Sequence, residues 1–302
     1  NVYTFIDTFN TRCKLAKRGK NKQERHALRQ VSYALFCCAD GHMPLYYDVY
    51  EGNRHDSKQF LKMLNRFHAF FDDLTGGASA SPGTTIIFDK GNNSPRNFEM
   101  IDECELGFVG SVKLTEHKDL ARISNTDSAF QPCHEPGLEE VKSLRMHKEV
   151  YGRKRLLVVS YNQTLFISQL LTVLNDSSTA LDKLSQLKQR LDDRRSGIIK
   201  SGRAPSVASV KKQCHTILRR PYLKDLIEVT ISKDPNDIPR LEFRFDDAAQ
   251  QQLADTYLGK TILITNRDRW DDAAIIKAYR GQFIIEDVFR QMKDRRTGTW
   301  WP

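Results

Sequence analysis

Asp89 and Glu286 are the two acids whose surroundings in the sequence point to chemistry. Glu286 lies in the run 273–293, where polar residues recur at a spacing that a helix turns into one stripe. At about 100° per residue, Tyr279, Gln282, Glu286 and Lys293 share an arc of roughly 60°. Ile275, Phe283, Ile284, Ile285, Val288, Phe289 and Met292 cover much of the rest, which predicts one helix buried on more than one side. A carboxylate buried there needs a partner, either Lys293 or Arg290 in an interior salt bridge or a metal ion. Asp89 ends the run 84–89, which reads as a short buried strand before a Gly/Asn turn and a helix from about Ser94. Acids at the carboxyl ends of interior strands are where open α/β sheets place their chemistry. The plainer reading of Asp89 is a side chain that caps the turn.

The elements that must position these acids follow from pattern. Residues 1–7 read as the tail of a strand; residues 30–39 and 44–50 are β-rich runs joined by the hairpin signal Asp40, Gly41, His42, Met43. A helix over 56–71 repeats Phe60, Leu61, Leu64, Phe67 and Phe71 at helical spacing, with Asp56 or Ser57 as its N-cap. The Asp89 strand, a helix near 95–104 and a strand at 108–114 come next. The stretch from there to a strand at 260–266 is too long for a loop inside a compact domain. Within it, residues 153–160, 228–232 and 239–245 are strand-like, and 180–191 is a helical piece with Leu181, Leu184, Leu187 and Leu191. Residues 193–212 read as a flexible basic connector. Three strands, helix, strand, helix, strand and a final acid-bearing helix is the chain order of an RNase H-like domain. The predicted fold class is therefore α/β: a mixed sheet flanked by helices and interrupted by a β-rich insertion. The division expected is 1–124 and 259–302 for the core and 125–258 for the insertion.

The final stripe resembles the signature of insertion-sequence DDE transposases of the IS-four superfamily: Tyr, Arg three residues on, Glu four further, Lys seven further. Tyr279, Glu286 and Lys293 match, and Gln282 stands where the Arg is usual. Arg280 is basic but points about 160° away from Gln282 on a helix. Arg18 to Lys22, Gln30 and Val31, Gly41 to Leu45, Gly52 to Asp56 and Phe88 to Asn92 also resemble that superfamily, in its order. The likeness spans most of the chain outside roughly 125–235.

The resemblance implies DNA cleavage and strand transfer with Mg²⁺ or Mn²⁺. Asp89 and Glu286 would be the metal-binding catalytic acids, facing one another across a cleft; Tyr279, Arg280, Lys293, Arg18, Lys20 and Lys22 would contact DNA. In-line displacement at phosphorus puts charge on both the attacking and the leaving oxygen, and two divalent ions about 3.5–4 Å apart stabilise both. The superfamily's first Asp would precede Asn1 by about three residues, so the chain reads as truncated at both ends and is expected to hold metal weakly and transfer strands poorly. Asp7 is the tempting replacement, but six strand residues span about 20 Å and carry it away.

Composition agrees with a nucleic-acid partner. Lys and Arg number 47 against 38 Asp and Glu, a net charge of +9 that favours phosphate backbones. Arg12, Lys14, Lys17, Arg18, Lys20, Lys22, Arg25 and Arg29 crowd one segment, expected to track DNA phosphates. A second crowd, Arg194, Arg195, Lys200, Arg203, Lys211, Lys212, Arg219 and Arg220, reads equally as DNA contact or solvated surface. Trp270 near a helix start reads as a packing residue before a base-stacking one. The six Cys show no CxxC spacing, Cys37 and Cys38 read as small apolar residues of a buried strand, and the pairs Cys133–His134 and Cys214–His215 match no standard zinc spacing. No signal peptide, membrane span or nucleotide-binding glycine loop is evident, so a prokaryotic cytoplasmic, nucleoid-associated protein without nucleotide cofactor is expected, as a homodimer on double-stranded DNA. The readings kept beside the transposase are an RNase H-like nuclease without strand transfer and a non-catalytic DNA-binding remnant.

Overall fold

The computed structural model describes residues 2–5, 13–20, 24, 26–39, 43–74, 76, 83–202, 204–234 and 238–293. The predicted hairpin tip at 40–42, Asp7, Arg12, Lys22, Arg25 and Arg203 lie outside the described residues.

The first four strands are β1 (Val2–Phe5), β2 (Lys17–Arg18), β3 (Arg29–Cys37) and β4 (Pro44–Glu51). They form one antiparallel sheet around β3, which pairs with β1, β2 and β4. Helix α1 (Asp56–Leu74) follows, then β5 (Thr85–Ile87), α2 (Pro95–Glu103), β6 (Gly107–Val112), α3 (Lys118–Ala121) and β7 (Gln131–Pro132). The chain continues through the long hairpin β8 (Val141–Val150) and β9 (Arg153–Asn162), helices α4 (Gln163–Arg195), α5 (Val207–Ile217) and α6 (Leu223–Leu226), and the hairpin β10 (Ile227–Lys233) and β11 (Pro239–Phe245). Last come α7 (Asp247–Thr256), β12 (Lys260–Thr265), α8 (Asp272–Arg280) and α9 (Phe283–Lys293).

Six strands form a second sheet in the order β5-β6-β12-β9-β8-β7, with β5 parallel to β6 and the other pairings antiparallel. Strand β6 is buried at every position because both faces are covered. Alternation divides it: Phe108, Gly110 and Val112 face α1 and α2, while Gly107, Val109 and Ser111 face α8. On the first face Phe60, Phe88, Phe98 and Phe108 pack ring to ring, and a Cβ at Gly110 would meet the Phe88 ring at 3.1 Å. On the second face Val109, Val158 and Leu263 pack against Ile275 and Ile276 of α8. This is the expected α/β, RNase H-like arrangement of a mixed sheet flanked by helices.

A buried ion pair fastens α2 to the sheet. Arg155 on β9 forks onto Asp102 at 2.7 and 3.1 Å, with its guanidinium over the Phe98 and Phe108 rings. Lys260 is buried as well; its ammonium donates to the carbonyls of Ala121, Ile123 and Thr256, and burial pushes its pKa down to about 8.

The segment between β6 and β12 does two things. Strands β8 and β9 extend the core sheet. The remainder builds a separate cluster of α4, α5, α6 and the β10–β11 hairpin around Leu184, Leu187, Leu191, Val210, Leu223 and Leu241. The leucines at 184, 187 and 191 belong to a helix of 33 residues, and the connector expected at 193–212 is helical at both ends, in α4 and α5. Cys37 and Cys38 are half-buried, a small departure from the expected interior strand.

Candidate active site

Asp89 sits two residues past the end of β5, still in extended conformation with φ −81° and ψ 156°. The backbone of Phe88 continues the ladder by donating to the Val109 carbonyl. Extending the Ile87–Val109 register therefore places Asp89 beside Ser111, both on the α8 side. The side chain makes no cap hydrogen bond to the turn that follows. Ser94 caps α2 instead, its Oγ accepting from the Asn97 amide at 3.2 Å. The turn-cap reading of Asp89 is thereby set aside.

The start of β5 is held by the residues after β12. Asn266 accepts from the Phe108 amide and donates to the Leu106 carbonyl, while Arg267 donates to Thr85 Oγ1 and to the carbonyls of Gly83 and Thr84. This latch lies against Gly107, where a Cβ would come within 2.1 Å of the guanidinium. Trp270 packs beside it, within the apolar contact under α8, in keeping with the packing reading.

Ile275 and Tyr279 share one face of α8, four residues apart, so burial of Ile275 carries the phenol to the sheet. The Tyr279 hydroxyl shares a 2.6 Å hydrogen bond with Ser111 Oγ and reaches Asp89 Oδ1 at 3.4 Å. It has one proton: when it donates to Asp89, Ser111 must donate to it. Burial and the Asp89 charge push the phenol's pKa up, against the Ser111 bond, so Tyr279 is neutral at physiological pH. Asp89 itself is exposed. The arrangement is a solvent-facing carboxylate buttressed from behind by two hydroxyls. Sequence reasoning missed Ser111. The available signal was a lone hydroxyl in a strand otherwise made of Gly, Val and Phe.

Glu286 corrects two expectations. The run 273–293 is two helices, because Gly281 and Gln282 close with i→i+3 bonds: the Gln282 amide donates to Tyr279, Ile284 to Gly281 and Ile285 to Gln282. Tyr279 and Glu286 therefore belong to different helices. Nor is Glu286 buried: α9 turns Phe289 and Ile285 toward Ala16, just before β2, and Val31 and Tyr33 of β3, and leaves Glu286 in solvent, where no buried partner is required. Arg290 pairs with Asp287 at 2.9 Å, the nearer acid on its face. The Lys293 side chain lies outside the described residues. Gln282, at the superfamily's Arg position, has its amide nitrogen buried without a hydrogen-bond partner among the described residues.

Among the remaining expected DNA contacts, Arg280 is exposed and donates to the Gly137 carbonyl at 3.1 Å. Arg18 and Lys20 are exposed on and beside β2. An outward-facing carboxylate suits one oxygen-ligand position of a hard divalent ion. Among the described residues, however, no three His, Cys, Asp or Glu side chains gather to hold a metal ion, so these residues do not by themselves fit a complete site. Among them, too, no helix is long and apolar enough to cross a membrane.

Comparison with known proteins bears on the family and the fold. No curated protein and no solved structure matches the chain. A family model described as Transposase DDE domain matches residues 4–300, nearly the whole length, and the chain belongs to that DDE transposase family.

Proposed function

We propose that this transposase cuts the ends of an insertion-sequence element of the IS-four superfamily and joins them to target DNA, with Asp89 and Glu286 as its acids. The observation that carries the reading is the placement of Asp89: exposed at the carboxyl end of β5 and backed by the Tyr279–Ser111 hydroxyl pair. DDE transposases generally use divalent metals, and Mg²⁺ or Mn²⁺, when bound, would supply charge stabilisation for the attacking and leaving oxygens. The chain's own part is positional. Asp89 presents a fixed negative charge, and neutral Tyr279 donates a proton toward it or toward a phosphate oxygen brought to the same place. Arg18 and Lys20, with Lys22, Arg280 and Lys293, supply cations for the duplex backbone. The reading extends to a core of 1–124 and 259–302 interrupted at 125–258 by a segment whose first strands join the core sheet and whose remainder is the insertion, to a homodimer on DNA, to action without nucleotide hydrolysis, and to a nucleoid-associated cytoplasmic protein of a prokaryote.

The test is cleavage of a plasmid carrying the element's own flanking DNA, in Mg²⁺ and in Mn²⁺. Asp89→Asn and Glu286→Gln keep size and hydrogen-bonding capacity and remove charge. Each is expected to abolish the cleavage that the unsubstituted chain shows while leaving duplex affinity within about threefold. Cleavage by Asp89→Asn at the unsubstituted rate overturns the assignment.

A further inference from the structure

Helix α4 has two faces with opposite duties. Ala180, Leu184, Leu187 and Leu191 are buried against α6 and the β10–β11 hairpin. Lys183, Gln186 and Arg190 recur three and four residues apart on the outer side, exposed. Helix α5 repeats the division: Val210 and Cys214 are buried, and Ser209, Lys212, Gln213 and Thr216 are turned out. The two outer stripes line one groove of about 890 Å³, together with Gln189 and Ile217. Arg190 reaches across it to Gln213 Oε1 at 3.4 Å.

The chemistry of the lining is one-sided. Three cations and five neutral hydrogen-bonding side chains line the groove, and no carboxylate does. Two other cations of the same helix are neutralised: Lys188 closes on Glu242, and Arg195 on Asp192 at 3.0 Å. Among the described residues Lys183, Arg190 and Lys212 form no ion pair, so the cations facing the groove keep their charge for a visitor. Seven helical residues rise about 10.5 Å, close to three base steps of ~3.4 Å each, so Lys183 and Arg190 are spaced for separate phosphates of one strand. The Ser209 and Thr216 hydroxyls donate to the Ser206 and Lys212 carbonyls, so contact with phosphate oxygens falls to the three cations and the Gln amides. The second basic crowd seen in the sequence is only partly this surface. Lys212 belongs to it, whereas Arg194 is turned to the carbonyls of Ser201 and Gly202.

We infer that the α4–α5 groove is a second DNA-docking site, binding the phosphate backbone of duplex DNA apart from the Asp89 site and without regard to sequence. The inference rests on the transposition reading, which supplies duplex DNA as the polyanion. An acidic polypeptide is the competing occupant.

The experiment measures duplex affinity of the 302-residue chain between about 50 and 200 mM salt. The variants are a triple Lys183→Gln, Arg190→Gln, Lys212→Gln and a charge-matched control on exposed cations of the core, Lys118→Gln, Lys142→Gln, Lys154→Gln. Melting curves check that both fold. The groove triple is expected to flatten the slope of log affinity against log salt by about 2 to 3, equally for any duplex sequence. The control should flatten it by less than about 1. An unchanged slope in the groove triple, or equal flattening by the control, overturns the inference while leaving the transposition reading intact. So does loss of polyglutamate binding with duplex binding kept, which assigns the groove to an acidic protein. If the unsubstituted chain binds no duplex DNA, the transposition reading falls and takes this inference with it.

Discussion

At the scale of single residues, the hydroxyl of Ser111 determines what Tyr279 can do. A phenol buried beside a carboxylate is held neutral by desolvation and by the neighbouring charge, and the Ser111 hydroxyl opposes both. Removing that hydroxyl therefore raises the Tyr279 pKa further. In Ser111→Ala the Tyr279 ring carbon resonance, assigned by comparison with Tyr279→Phe, should titrate at higher pH than in the unsubstituted chain, with about 1 kcal/mol of stability lost. An unmoved titration would mean that the 2.6 Å contact does not form in solution.

At the scale of elements, the site depends on a strand of only three residues, which cannot hold its own end in place. The Arg267 latch does so, and it requires Gly107, because any side chain there enters the space of the guanidinium. Gly107→Ala must push Arg267 off Thr85 and the carbonyls of Gly83 and Thr84. The expected cost is about 1–3 kcal/mol, read from urea unfolding. Amide exchange of Ile86 and Ile87 should rise with it. Substitution without loss of protection would show that β5 is held by β6 alone.

At the scale of the molecule, α2 and the core sheet share a charge pair that neither could carry alone. Arg155 is 2% exposed and Asp102 7%, and their fork spans 53 residues of sequence. Asp102 also meets the exposed Arg153 at 3.1 Å, but removing Asp102 strands Arg155 in the apolar interior, so Asp102→Ala should cost about 3–5 kcal/mol. The double replacement Asp102→Leu, Arg155→Met should recover most of that loss, measured by thermal and urea unfolding. If the double variant is as unstable as the single, the pair contributes packing and not charge compensation.

The sequence by itself determined the β-rich runs that become β6 and β9, the helical apolar spacing of α1, and the strand-end position of Asp89. These are local properties, read from periods of two and 3.6 residues and from turn chemistry. The cap expected at Asp56 or Ser57 falls instead at His55, whose carbonyl takes the first amides of a helix that begins at Asp56. The chain's likeness to the transposase signature also pointed to the DDE transposase family, whose model matches residues 4–300. Tertiary structure alone decided the rest. Whether 273–293 is one helix or two depends on a few i→i+3 bonds at Gly281 and Gln282, and a glycine within a helical pattern permits either outcome. Whether Glu286 is buried depends on which sheet α9 meets, and that contact joins Phe289 to Val31 across most of the chain. The pairing of Ser111 with Tyr279 spans 168 residues. Periodicity describes which face of an element is apolar; which other face it meets is fixed only when the elements pack.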